Sequence, residues 1–147
     1  MTGFSSLELM LAVAAIGILA AFALPKNSDS VDRACVDKAV GDIDTLDLAI
    51  REYRRRNNDA LPPDLGVLPV PSILDPWGRP YQYLPFDAGI NHEHARQDQN
   101  QLLINSDFDL YSKGKDGVSA SSLELPASHD DVIRAGNGRY VGPAGNY

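Results

Sequence analysis

The chain has 147 residues, 44% of them hydrophobic, and carries 13 Lys and Arg against 20 Asp and Glu for a net charge of −7. That length holds one domain of ordinary size plus an appendage, and the hydrophobic share excludes both a disordered chain and a polytopic membrane protein. The acidic balance excludes nucleic-acid binding as the main task, because phosphates demand a basic face, and a single cysteine, Cys35, excludes an intramolecular disulfide framework or a multi-cysteine zinc site.

From Leu9 to Leu24 the sequence reads LMLAVAAIGILAAFAL, with no charged or strongly polar residue. Taken back to Phe4, the segment would be about 31 Å long as a helix, close to the ~30 Å hydrocarbon core of a bilayer. It contains one carboxylate, Glu8, and a charge at that depth costs about 2.5–3.5 kcal/mol. Three ordinary readings compete. A soluble core helix fails because nothing later in the chain could cover it on all sides. A secretory signal peptide is suggested by Ala21-Phe22-Ala23 but opposed by Glu8, by Pro25 and by the absence of Lys or Arg before the run. A plain single-span anchor explains the length and not the acid.

Gly3-Phe4-Ser5-Ser6-Leu7-Glu8, followed by the apolar run and then Pro25, resembles the class III signal of type IV pilins and type II secretion pseudopilins. The resemblance implies that a prepilin peptidase cuts between Gly3 and Phe4, that the new N-terminal Phe4 is methylated, and that Glu8 is the assembly acid. The α-amine freed at Phe4 is cationic near neutral pH. In a filament it would lie against Glu8 of a neighbouring subunit, removing two unpaired charges from an apolar bundle and setting register rather than adding much stability. The leader Met1-Thr2-Gly3 lacks the basic residue usual in such leaders.

After Pro25 the chain becomes polar but keeps a helical period. Val36, Val40, Ile43, Leu46, Ile50 and Tyr53 make one apolar stripe, with Asp37, Asp42, Asp44, Asp47 and Glu52 mostly off it. Arg54-Arg55-Arg56 end the segment where the helix dipole favours cations, and Asn57-Asn58 follows as a stop; a solvated helix end is preferred to a partner patch. Pro25 and Gly41 are the points where this rod is expected to bend or melt. Cys35 lies among polar neighbours, either as a small packing residue or as a cross-link between subunits.

From Asp59 onward no second strong helical period occurs. Leu61 to Pro71 is interrupted by proline too often for regular structure. Tyr81–Leu84 and Phe108–Tyr111 read as strands, and Gln101–Ile104 as a third. A few short strands cannot form a core alone, so they are expected to pack on the amphipathic half of the rod. The expected fold is α+β and type IV pilin-like: one long N-terminal helix on an antiparallel sheet of about three strands, with a loop-rich C-terminal region. Its parts are a leader at 1–3, a transmembrane and filament-core helix at 4–25, and a periplasmic head at 26–147. The head divides into a helix half at 26–57, a connector at 58–80, and sheet and loops at 81–147.

Asp75-Pro76-Trp77-Gly78-Arg79-Pro80-Tyr81-Gln82-Tyr83 resembles the DPWG-x-PYQY signature of the major pseudopilin of type II secretion, and Phe108 to Gly117 (FDLYSKGKDG) resembles its FDLYS-x-G-x-DG stretch. That resemblance implies a structural calcium ion in the last loop. Asp116 matches its first carboxylate, Lys113 a backbone-carbonyl donor, and Asp130 and Asp131 the later acids, although Val118 to Ser128 is longer than the usual loop. Calcium suits such a set because it takes six to eight oxygens in flexible geometry. Asp107-Phe108-Asp109 does not open an EF-hand, since Tyr111 and Ser112 stand where that loop needs an oxygen ligand and a glycine. The tail from Asp131 to Gly142 extends beyond the short end of the best-known major pseudopilins.

Other chemistry is scarce. His92-Glu93-His94 lacks the four-residue histidine spacing of a zinc protease and reads as a polar loop, and there is no GxSxG and no Cys-His constellation. An acid/base set of Asp107, Asp109 and Asp116 is better explained by metal binding or turns, so the chain is not expected to be an enzyme. The resemblance implies a structural subunit that polymerises into a periplasmic pseudopilus driving type II secretion. Its partners would be copies of itself, the prepilin peptidase, the inner-membrane assembly platform and minor pseudopilins. It would start as a single-pass inner-membrane protein with its head in the periplasm. The alternatives are a type IV pilus-like surface subunit for adhesion, motility or electron transfer, and a membrane-anchored calcium-binding module that does not polymerise.

Overall fold

A computed structural model describes residues 6–86 and 92–147, with side chains except at 7–9, 11–28 and 92. Helix α1 spans Ser6–Arg56, 51 residues, and is followed by four short strands: β1 Gln82–Pro85, β2 Phe108–Ser112, β3 Val132–Ala135 and β4 Tyr140–Pro143. The chain divides into two units, Met1–Ala34 and Cys35–Tyr147. In the first, the described residues are helical from Ser6 on, and the helix is unbroken at Pro25, where a bend or break was expected.

Within the second unit the helix also continues through Gly41. Its carbonyl accepts the Thr45 hydroxyl at 2.8 Å, and the position faces open space. The helix ends as its composition implies. Arg55 and Arg56 both pair with Glu52, Arg54 pairs with Asp59, and Asn58 and Asp59 take positive φ to turn the chain. The triple-arginine end is thus occupied by local carboxylates. Cys35 is half-buried with a free thiol.

The four strands form one antiparallel sheet in the order β1-β2-β3-β4. One face meets the helix stripe. Ala39, Ile43, Leu46 and Ile50 pack with Phe108, Leu110 and Val132, and with Tyr81, Leu65 and Leu68 from the connector, in one core; Val36, Val40 and Tyr53 flank it. Strand alternation sends Ile133 and Ala135 to the other face, where Ile104, Leu123 and Ala144 cover them. The predicted helix stripe and the first two strands therefore sit where the period placed them.

Two expectations about the second half need correction. Gln101–Ile104 is not a strand: Asp98 Oδ1 accepts the backbone N–H of Asn100 and of Leu102, and Gln101 takes a φ of 59°. An aspartate that caps a turn offers the backbone an alternative to a ladder. The segment read as C-terminal loop instead supplies β3 and β4, so the sheet has four strands rather than about three. Their hairpin is closed by Gly136, Asn137 and Gly138, all at positive φ, as a twist-matched hairpin turn requires. Gly138 is doubly constrained, because a Cβ there would lie 2.5 Å from the Arg51 guanidinium.

Candidate functional site

Gly3 and Phe4, the processing residues, lie outside the described residues. The backbone of Glu8 is in α1, and its side chain lies outside them. Among the described residues no helix is long and apolar enough to cross a membrane; most side chains of the apolar run fall outside that set.

In the head, the two sequence signatures meet. Asp75, buried, accepts the N–H groups of Trp77 and Arg79 through Oδ1 at 3.1 and 2.8 Å, which folds the Asp75–Arg79 turn around Gly78. Its other oxygen, Oδ2, accepts the Ser112 hydroxyl at 2.6 Å, and Ser112 Oγ in turn accepts the N–H of Gly114 at 3.1 Å. Arg79 then reaches on, its guanidinium donating to the carbonyls of Gly114 at 2.6 Å and Lys115 at 3.0 Å. So DPWGR and the loop after β2 form one joint. Tyr81 and Tyr83 extend it, donating their hydroxyls to Asp42 on α1 at 2.9 Å and to the Pro62 carbonyl at 3.0 Å. Burial, with Asp42 close by, pushes the Tyr81 phenol well up, so it stays a donor at any physiological pH.

The candidate ligands part company around this joint. Asp116 N donates to Asp130 Oδ2 at 3.0 Å, and Asp116 Oδ1 accepts the N–H of Val118 at 2.7 Å. The Lys113 carbonyl accepts the N–H of Gly117 at 3.2 Å. Lys113, Asp116 and Asp130 are therefore brought together at one loop. Asp131 is not with them: fully buried, it receives Arg96 Nη2 at 2.5 Å and the Ser119 hydroxyl at 2.6 Å on Oδ2. Burial pushes the Asp131 carboxyl up, against the opposing pull of Ser119 and Arg96. Asp131 Oδ1 and Arg96 Nε are buried without partners, at the same cation–anion contact.

The arginines at the centre of the head were not among the residues singled out by sequence. Arg96 lies in a polar stretch that gives no periodic signal, yet it is buried, stacks 4.2 Å over the Tyr111 ring and donates its backbone N–H to Asp109 Oδ2 at 2.6 Å. Arg134 interrupts the apolar run of β3, which was the available signal. Its Nε meets Asp47 of α1 at 2.6 Å, its Nη atoms make a fork on Asp107 at 2.8 Å each, and it stacks 3.9 Å over Phe108. Asp107 and Asp109 are separated in role as well as from Asp116. Burial pushes Asp107 up, but hydrogen bonds and charge from Arg134 outweigh it and hold the carboxyl below its usual range. Burial pushes Asp109 up, only partly offset by the Asn105 amide and the Arg96 N–H.

The chain is similar in sequence to secretion-system and fimbrial proteins. The type II secretion system core protein G of Pseudomonas aeruginosa is 32% identical over 143 residues, covering 82% of this chain and 88% of that protein. The core protein G of Vibrio cholerae is 35% identical over 60% of the chain and 74% of its own length. The type IV major fimbrial protein FimA of Dichelobacter nodosus is 46% identical over 95% of the chain and 84% of that protein. The chain belongs to this pseudopilin and type IV pilin-like family. No family model matches it, and no solved structure matches it.

Resemblance to that family implies a calcium ion in the head, and of its implied ligands the structure brings Lys113, Asp116 and Asp130 to one loop and sets Asp131 on Arg96. Among the described residues, no three His, Cys, Asp or Glu side chains are gathered to hold a metal ion. Asp131 is committed to Arg96, and Asp116 and Asp130 accept the loop's own N–H groups.

The Asp107–Arg134 contact has a signature in pH. A carboxyl with a depressed folded pKa contributes stability above its unfolded value, near 3.9, and loses it as pH falls through the folded value. Asp107→Asn is expected to lower stability at neutral pH by about 3 kcal/mol, the lower end for one partner of a buried pair. The gap to the unsubstituted chain should narrow steadily below about pH 4. Urea midpoints of both proteins across that range check it, and a gap that stays constant with pH would disprove the ionic role.

Proposed function

We propose that this chain is the major structural subunit of a periplasmic pseudopilus that drives type II protein secretion, made active for assembly by cleavage after Gly3 and methylation of Phe4. The observation that carries the reading is the likeness to type II secretion core proteins G, over 82% of the chain for that of Pseudomonas aeruginosa, together with the Gly3-Phe4 junction and Glu8. Residues 4–25 anchor the precursor in the inner membrane and later bundle in the filament core. The Phe4 α-amine of one subunit neutralises Glu8 of the next, so a misplaced subunit leaves two charges unpaired in an apolar bundle. The acidic heads face outward. Partners are other copies of the chain, the prepilin peptidase, minor pseudopilins and an inner-membrane assembly platform, and subunit addition does mechanical work on exported proteins.

A second reading is favoured by the likeness to the Dichelobacter nodosus fimbrial protein: the same polymer, extended beyond the outer membrane as a surface pilus. Filament fractionation separates the two, because a pseudopilus at native expression stays with the cell and a pilus appears in the sheared fraction.

Glu8→Ala is expected to leave the chain membrane-inserted, with an intact mass that begins at methylated Phe4, and to reduce filament yield at least tenfold relative to total membrane-bound protein, as losing about 1.4 kcal/mol per joint would. Cross-linked ladders and intact mass from cells with and without the peptidase check this. Normal ladders from Glu8→Ala would sink the pairing, and a mature end at Leu24 would establish a cleaved signal peptide instead.

A further inference from the structure

Several acceptor groups of the 113–117 loop already take donors of the protein itself. Lys113 O takes Gly117 N, Asp116 Oδ1 takes Val118 N, and Asp130 Oδ2 takes Asp116 N. Two more carbonyls of the turn, Gly114 O and Lys115 O, accept from one cation, the Arg79 guanidinium. We propose that Arg79 stands in this loop where a metal ion would, so that the head of this chain is held by a guanidinium and folds without calcium.

Three features make the guanidinium a built part of the loop. Asp75 fixes Arg79 at its root by accepting its N–H, and the same carboxylate holds Ser112 at the mouth of the loop; the cation and the carbonyls it bonds are therefore set by one side chain. Gly117 is at φ +74°, and a Cβ there would lie 2.6 Å from Arg79 Nε; the loop backbone is bare where the planar group lies against it. Gly114, at φ +62°, is equally bare against the carbonyl of Asp130, 2.1 Å from where its Cβ would be, so the acidic segment reaches the loop by backbone packing.

The chemistry agrees with the geometry. A guanidinium stays protonated at every relevant pH and offers several donors in a fixed plane. It can therefore bond successive carbonyls, as a metal does, while adding one positive charge to the loop that carries Asp116. A divalent ion would need six or more oxygens and, on the Gly114 or Lys115 carbonyl, would sit next to a permanent cation. Asp131, which would complete the shell, is neutralised by a second arginine, Arg96. The inference concerns the head alone and goes beyond the proposed function, standing for a secretion filament and a surface filament alike.

The test uses the full-length chain in detergent micelles. Unfolding is followed through Trp77, the single tryptophan of the sequence and part of the Asp75–Arg79 turn, in calcium, in magnesium and in chelator. The unsubstituted protein should melt at the same temperature in all three, and Arg79→Gln should melt lower by about 4 °C or more in chelator. A midpoint of the unsubstituted protein that rises saturably with calcium and not with magnesium would overturn the proposal, and so would an Arg79→Gln midpoint equal to it. If Arg79→Gln does not fold, the calcium titration of the unsubstituted protein still decides.

Discussion

A buried guanidinium holds the head together. Arg134, from the middle of β3, is shielded from solvent and bonds Asp47 on the helix, Asp107 before β2 and the Phe108 carbonyl, with its plane against the Phe108 ring. The apolar contact between stripe and sheet would form with many small shifts of register, because Ile, Leu and Val are tolerant neighbours. A charge that must be paired is not tolerant. Removing one partner of such a pair costs about 3–5 kcal/mol, although the intact pair adds little over well-packed apolar groups. The helix stripe therefore supplies the driving force, and Arg134 selects the single arrangement in which Asp47 faces β3. Arg51 strengthens that choice by bonding both Asp47 and the Asn137 carbonyl of the hairpin turn.

The same device recurs on the opposite face and at the loops. Arg96 pairs with Asp131 under Tyr111, and Arg79 bonds the carbonyls after β2. Three arginines, one in β3 and two in loops, do what a larger apolar core does in bigger domains. A sheet whose strands are four or five residues long has too few ladder bonds and too little buried area to order long loops by itself. Directional, charge-assisted bonds to backbone carbonyls and carboxylates order them instead. For a filament subunit this matters mechanically, since a head that carries load from its neighbours needs fixed loops as much as net stability.

Legibility in the sequence followed the reach of each signal. The helix and its buried face were readable because Val36 to Tyr53 repeats at helical spacing, and β1 and β2 because Tyr81–Leu84 and Phe108–Tyr111 carry strand residues between turn residues. The hairpin β3–β4 is hidden although Gly136-Asn137-Gly138 is a turn signal, since Arg134 and Arg139 make the flanks look polar. Gln101–Ile104 misleads in the other direction: its apolar residues suggest a strand, and the deciding group is the Asp98 side chain before them. The buried partners could not be read at all. Nothing local distinguishes Asp131, bonded to Arg96 across 35 positions, from Asp130, bonded to the Asp116 N–H; both look like loop acids. The Gly3, Phe4 and Glu8 readings rest on motif alone, because their side chains lie outside the described residues.

The claim that one guanidinium fixes the sheet on the helix is tested most directly by a double-mutant cycle between α1 and β3, using Asp47→Asn, Arg134→Met and the pair, with unfolding free energies from denaturant titration. If the Asp47–Arg134 bond sets the docking, the two substitutions are strongly non-additive, with a coupling of about 1–3 kcal/mol, as for residues sharing one buried network. Effects that add to within about 0.5 kcal/mol, the behaviour of independent sites, would mean that the apolar stripe alone positions the sheet and that Arg134 does not select its docking.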